Sequence, residues 1–249
     1  LLAADLGLEP RRRHRPARGG QHRGPDHLLL LGKPDVNAQR FEPFAERFPE
    51  RFLNVGVAEQ NMTGIAAGLA REGYKVFTYS IANFPTLRCL EQVRNDVCYH
   101  NVAVTMVAVG AGFMYGSLGA SHHATEDIGI LRTLPNLRVY APCATRQLPG
   151  VLAEIVEGAG PSYLRLGRAL DSVSAGGFEP APGGWLVSVK RADRAIVAVG
   201  NVLPFARTVL AEGGDGSDIG HADIWLAGRL KPLPGEILDS LSKYREVIV

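Results

Sequence analysis

The chain has little of what would tie it to the cell exterior or to a membrane. Its cysteines are three, Cys89, Cys98 and Cys143, and an odd set without metal-site spacing excludes a disulfide framework and a cysteine-based metal site. No run of 18 apolar residues occurs and no secretory signal opens the sequence, which excludes a spanning helix and points to a reduced, cytoplasmic protein. Net charge is also small: 27 Lys and Arg against 25 Asp and Glu leave +2. Position 1 is leucine rather than an initiator methionine, so the sequence reads as a fragment or a processed product.

What is present is ordinary globular composition, 249 residues with 46% hydrophobic and 21% charged, enough for one large domain or two smaller ones. The charge is unevenly placed, because residues 8–40 hold eight Arg or Lys against three Asp or Glu and leave about −3 for the rest. A nucleic-acid role would rest on that segment alone, and neither nucleic acid nor membrane is expected as a partner. The segment carries Arg11-Arg12-Arg13-His14-Arg15-Pro16 and Gly19-Gly20, a composition that buries too little apolar surface to fold. Three readings compete for it: a flexible surface loop, an RNA- or phosphate-binding arm, and an error of the gene model. It is treated as a disordered basic insertion, with apolar Leu28 to Leu31 the one part able to pair with something.

The stretch Leu53-Asn54-Val55-Gly56-Val57-Ala58-Glu59-Gln60-Asn61-Met62 ends a short apolar run and opens a helix. Ile65, Ala66, Leu69 and Ala70 recur at spacings of three and four, and Gly64 with Gly68 makes one smooth face that another backbone could approach. A glutamate in the first turn complements the helix dipole. Further on, Tyr74 to Ser80 is β-rich, Ile81 to Pro85 is a loop containing Phe84, and a helix runs from about Leu87 to His100. Val102 to Val109 is a run apolar at every position but Thr105, the pattern of a strand buried on both faces of a parallel sheet.

That run leads into the Gly-rich loop Gly110 to Ala120, closing on Ser121-His122-His123-Ala124-Thr125-Glu126-Asp127. Gly-rich loops at strand ends are where ligands usually sit. Adjacent histidines make poor chelators and no third ligand is near in sequence, so no metal site is assigned. Arg146 to Glu157 reads as a helix, and Pro161 to Arg168 as a strand ending in a cation. Residues 169–190, rich in Gly and Pro, read as a linker.

The phrase GVAEQNMTGIAAGLA resembles the catalytic-glutamate segment of the transketolase family of thiamine diphosphate enzymes. SHHATED resembles that family's substrate-histidine loop, and LRLGR its phosphate-gripping strand. The resemblance implies an α/β fold: a parallel-sheet pyrimidine-binding domain over 1–168, a linker over 169–190, and over 191–249 an incomplete carboxyl-terminal transketolase-like domain.

It implies that Glu59 hydrogen-bonds N1′ of the cofactor's aminopyrimidine, favouring the imino form that takes the C2 proton, with the carbon nucleophile belonging to the cofactor. Such a role needs a carboxyl held in a dry site close to its partner. It further implies that His122 contacts the donor sugar, that Phe84 stacks on the pyrimidine or is a core aromatic, and that Asp5 lies at a strand's carboxyl end beside the cofactor. Arg168 grips the sugar phosphate, a task for a planar fork that is always charged, or is a surface ion-pair residue. Leu118 stands where many transketolases have an aspartate that reads an acceptor hydroxyl, and Gly110 stands near a phosphate-binding histidine, so the sugar is left open.

The diphosphate and Mg2+ motif of the family is not matched here: Gly214-Asp215-Gly216 has no asparagine after it and reads as a turn. The expected protein is therefore the small subunit of a split transketolase, partnered by a diphosphate-binding large subunit in a heterotetramer and acting on sugar phosphates. Alternatives are the β subunit of a 2-oxo acid dehydrogenase, a deoxyxylulose-phosphate-synthase-like enzyme, and a catalytically silent binding module.

Overall fold

The five residues His27–Leu31, inside the basic segment, form β1. It lies between β2 (Phe52–Asn54) and β3 (Lys75–Ile81), parallel to both, and so is an interior strand. The computed structural model of the chain describes residues 27–31, 38–81, 83–167, 177–188, 192–206 and 222–249. The reading of 8–40 as a disordered insertion is thus corrected over His27–Leu31, and again at Ala38, where the helix Ala38–Arg47 begins. The physical reason is that four consecutive leucines suffice for a strand wherever two neighbours supply the hydrogen bonds, whatever the composition of the flanks.

From β3 the sheet continues through β4 (Val104–Val109), β5 (Arg138–Tyr140) and β6 (Ser162–Leu166), in the spatial order β5-β6-β4-β3-β1-β2, all parallel. β4 is buried at all but its last residue, as an apolar run between two layers must be. The helix Glu59–Arg71 covers one face with Met62, Ala66 and Ala67 buried. The helix Leu148–Glu157 covers the other, packing Val151, Leu152 and Ile155 against Phe77, Val107 and Leu164. Among the described residues, nothing lies within 4 Å of where a Cβ would stand on Gly64 or Gly68. No helix among the described residues is long and apolar enough to cross a membrane.

A second sheet of five strands is built from β7 (Glu179–Ala181), β8 (Trp185–Ser188), β9 (Arg194–Ala198), β10 (Ala222–Leu226) and β12 (Glu246–Ile248), in the order β12-β9-β10-β8-β7. The linker reading of 169–190 is corrected where β7 and β8 pair antiparallel. Pro180 is tolerated because β7 is an edge strand, and Pro182 opens the turn that follows it. The remaining strand, β11 (Arg229–Lys231), returns to the first sheet and pairs antiparallel with β5.

Buried hydrogen bonds bind the two sheets together, and a further set ties β11 to the layer of the first sheet. The buried amide of Gln147 accepts hydrogen bonds from the Cys143 and Ala144 N–H groups at 2.8 and 3.0 Å. Its Nε2 donates to the carbonyls of Gly184, Leu226 and Ala227 at 2.8 to 3.1 Å. Glu154 then receives both the Tyr140 hydroxyl, at 3.1 Å, and the Arg229 guanidinium.

Candidate active site

Of the residues singled out from sequence, Glu59, Phe84 and His122 lie beyond the carboxyl ends of parallel strands, where open α/β sheets hold their ligands. β2 ends at Asn54, whose side chain accepts the Gly56 N–H at 2.9 Å. Gly56 takes φ +71°, a left-handed turn that glycine adopts without strain. This turn delivers Glu59 as the first residue of its helix, with no side-chain cap before it. Glu59 is 2% exposed. Its Oε2 accepts the Arg88 Nη1 at 3.0 Å, while Oε1 is buried and has no hydrogen-bond partner among the described residues.

Arg88 comes from the turn that follows β3. Its guanidinium lies 4.3 Å from the centroid of the Phe84 ring, in the range of a cation–π contact. The Gln60 amide fixes the turn to the glutamate helix by donating to the Arg88 carbonyl at 3.1 Å. Asn83 ties the same turn to the next loop by donating to the Ser121 carbonyl at 2.8 Å.

That next loop follows β4. Gly110 adopts φ +104°, and a Cβ on it would meet the Tyr115 ring at 2.1 Å, so the turn requires glycine twice over. Gly112 and Ala124 exchange backbone hydrogen bonds at 2.9 and 3.0 Å and close the loop's base. The two histidines diverge. The His122 ring meets Phe84 edge-on at 5.2 Å and lies 6.4 Å from Tyr115, with the Ser121 hydroxyl 3.0 Å from its Nδ1. His123 turns to Phe113, at 5.0 Å, and to the Gly116 carbonyl, 3.3 Å from Nε2.

Glu59, Phe84 and His122 therefore form one continuous cluster joined through Arg88. Asp5 and Arg168 lie outside the described residues. Sequence reasoning missed Arg88, which carries no motif of its own, and a second group beneath the histidine loop. There Asp127 Oδ2 accepts Tyr163 OH at 2.6 Å and Arg165 Nε at 2.7 Å, while Arg165 Nη2 donates to the Ala124 carbonyl at 2.9 Å. Asp127 and Arg165 stand within the SHHATED and LRLGR phrases, which was the available signal. Burial and the adjoining carboxylate push the Tyr163 hydroxyl well above its usual pKa, keeping it a donor. Among the described residues, no three His, Cys, Asp or Glu side chains converge as metal ligands.

Known proteins share both sequence and fold with the chain. The transketolase pyrimidine-binding domain pattern matches residues 25–171. The chain belongs to the transketolase family. It is 39% identical over 221 residues to a putative transketolase C-terminal section of Methanocaldococcus jannaschii, covering 86% of this chain and 68% of that one. It is 36% identical over 177 residues to an apulose-4-phosphate transketolase subunit of Actinobacillus succinogenes, covering 71% of this chain and 57% of that one. A solved split-gene transketolase, described as an inactive β4 tetramer, superposes with a TM-score of 0.74 at 32% identity, covering 89% of this chain and 72% of the other. The chain thus spans between about half and two thirds of these curated relatives.

Membership in this family implies thiamine diphosphate, and the transketolase-like site fits its pyrimidine end. Among the described residues Glu59 Oε1 is a buried acceptor without a partner, and Arg88 links its carboxyl group to Phe84, a ring on which a flat heterocycle can stack.

Proposed function

We propose that the chain is the pyrimidine-binding subunit of a two-chain, thiamine-diphosphate-dependent transketolase. It works in cytoplasmic carbohydrate metabolism, moving a two-carbon ketol unit between sugar phosphates. The observation that carries this reading is the state of Glu59: a side chain 2% exposed, with one carboxyl oxygen committed to Arg88 and the other without a donor among the described residues. A buried acceptor costs free energy unless a ligand satisfies it, and a ring nitrogen bearing a proton is the group that does so here.

Thiamine diphosphate, when bound, supplies an acidic C2 carbon and, through its aminopyrimidine, a route for that proton. Glu59 holds the proton at N1′ and so sets the tautomer. Phe84 supplies the face against which the pyrimidine is oriented. His122, its Nδ1 engaged by Ser121, presents Nε2 to a hydroxyl or carbonyl oxygen of the donor sugar, and Arg168 takes the phosphate. Residues 191–249 act as the first part of a carboxyl-terminal domain. The diphosphate and Mg2+ are held by a separate large subunit, with which this chain forms a heterotetramer. The inactive tetrameric state described for the split-gene relative supports this division.

Deuterium exchange at C2, followed by NMR in the complex reconstituted with the large subunit, tests the reading. Glu59→Gln should slow exchange by more than about a hundredfold, as removal of a general acid or base does. His122→Ala should leave exchange intact and lower donor turnover. Exchange at the wild-type rate in Glu59→Gln would overturn the mechanism. Tight, Mg2+-dependent binding of thiamine diphosphate by the chain alone, measured by calorimetry, would overturn the two-chain assignment.

A further inference from the structure

Arg88 has no role in the reading above, yet it touches two of the groups that carry it. Its Nη1 donates to Glu59 Oε2 at 3.0 Å, its Cζ lies over the Phe84 ring 4.3 Å from the centroid, and its carbonyl is held by Gln60 at 3.1 Å. On the other side of the pair, the Glu59 carbonyl accepts the Thr63 hydroxyl at 2.9 Å. Both backbones are thus anchored before any ligand arrives.

A carboxylate has two oxygens, and the division of labour between them is visible. Oε2 is spent on Arg88, and Oε1 is the buried atom left over. The Arg88 cation stands against Oε2 at 3.0 Å, so one oxygen of the buried group already has a charged donor. With Oε2 occupied, rotation of the carboxyl group is checked and Oε1 keeps one direction. The same cation draws electron density of the Phe84 ring toward its own face.

Resting on the transketolase reading, we infer that Arg88 is a positioning residue for proton transfer at Glu59. It orients the carboxylate through Oε2 so that Oε1 alone meets the ligand's ring nitrogen, and it backs Phe84 as the stacking platform. Arginine suits the task better than lysine, because its extended guanidinium can hold a carboxylate by one nitrogen while its centre lies over an aromatic ring. Its side chain is 47% exposed while that of Glu59 is 2% exposed, so the contact is made from the open side of the site, where an added ion can reach.

Three measurements decide it. In the cofactor-free full chain, the Arg88 guanidinium 15N–H signals should be protected in wild type and lost in Glu59→Gln. In the reconstituted complex with thiamine diphosphate and Mg2+, Arg88→Ala should lower both cofactor affinity and the C2 exchange rate, each by about tenfold, the worth of a charge-assisted hydrogen bond. Free guanidinium, far below denaturing concentration, should restore exchange in Arg88→Ala, while sodium chloride of equal ionic strength should not. Should Arg88→Ala fold poorly by circular dichroism, Arg88→Lys decides in its place, with exchange expected between the two.

Wild-type exchange in Arg88→Ala, or a slow variant indifferent to guanidinium, would overturn the inference while Glu59→Gln remained inactive. Wild-type exchange in Glu59→Gln would overturn the transketolase reading and this inference with it.

Discussion

Tyr163 and Asp127 meet at 2.6 Å, phenol against carboxylate, with both side chains buried. Arg165 shares the same carboxylate oxygen at 2.7 Å and reaches the Ala124 carbonyl at the base of the histidine loop. One acid therefore links β6 to the loop that carries His122.

Asp127→Ala leaves the guanidinium of Arg165, 11% exposed, without its counter-charge. Breaking a buried pair by removing one partner costs about 3 to 5 kcal/mol. Urea unfolding of Asp127→Ala against wild type should show a loss of that size. A loss below about 1 kcal/mol would show that water has replaced the carboxylate.

Gly110→His places the imidazole that many transketolases carry near this point, yet it should not create a phosphate contact. At φ +104° any Cβ is strained, and here it would stand 2.1 Å from the Tyr115 ring. The variant is expected to displace Tyr115 and lose about 2 kcal/mol or more. Thermal unfolding and the near-ultraviolet circular dichroism of the tyrosines measure both effects.

Deletion of His27–Leu31 should abolish folding, because β2 and β3 each lose a full ladder of backbone hydrogen bonds to the strand between them. Soluble expression with a cooperative melt would show that another segment can fill the gap.

Alkaline stability follows the buried thiols. Burial pushes Cys89 and Cys98 from an ordinary value of 9.0 up to about 11, and it pushes Tyr140 from 10.0 to about 12. These groups stay neutral longer in the fold than in the unfolded chain. Their contribution is complete below pH 9 and falls as pH rises through about 11. Urea midpoints should therefore hold from neutrality to pH 9 and drop above it. The thiols of the native chain should also resist Ellman's reagent at neutral pH.

Gln147→Leu removes five hydrogen bonds while keeping side-chain volume. The carbonyls of Gly184, Leu226 and Ala227 would be left buried without this donor. Each orphaned group costs about 1 to 3 kcal/mol, so the second sheet should melt ahead of the first. Calorimetry would then show two transitions in place of one, and a single unshifted transition would assign the coupling to the apolar contacts alone.

The parallel sheet and the glutamate helix were legible because their signals are local and strong. Val102 to Val109 is apolar at every position but Thr105, and Glu59 stands at the head of a helix whose small residues repeat with its period. β1 was hidden by its neighbours, since four leucines between charged and Pro-rich flanks carry no period that separates a strand from a loop. β7 and β8 were hidden in the same way by Gly and Pro, residues that edge strands and turns accept. At the site, Glu59, Phe84 and His122 came from motif resemblance. Arg88 and Asp127 could not be read out, because what matters about them is which distant side chain they meet: Arg88 lies 29 residues from Glu59 and Arg165 lies 38 from Asp127.

The return of Arg229–Lys231 to the edge of β5 also works as a clasp. A protease nick between the two sheets would sever the chain covalently, yet the downstream piece would still supply the upstream sheet with its last strand and the Arg229 contact to Glu154. The nicked halves should run together on gel filtration and separate only in denaturant. A gene divided at the same place would yield two polypeptides that must find each other, one of them carrying an uncovered strand edge prone to pairing with any partner that offers one.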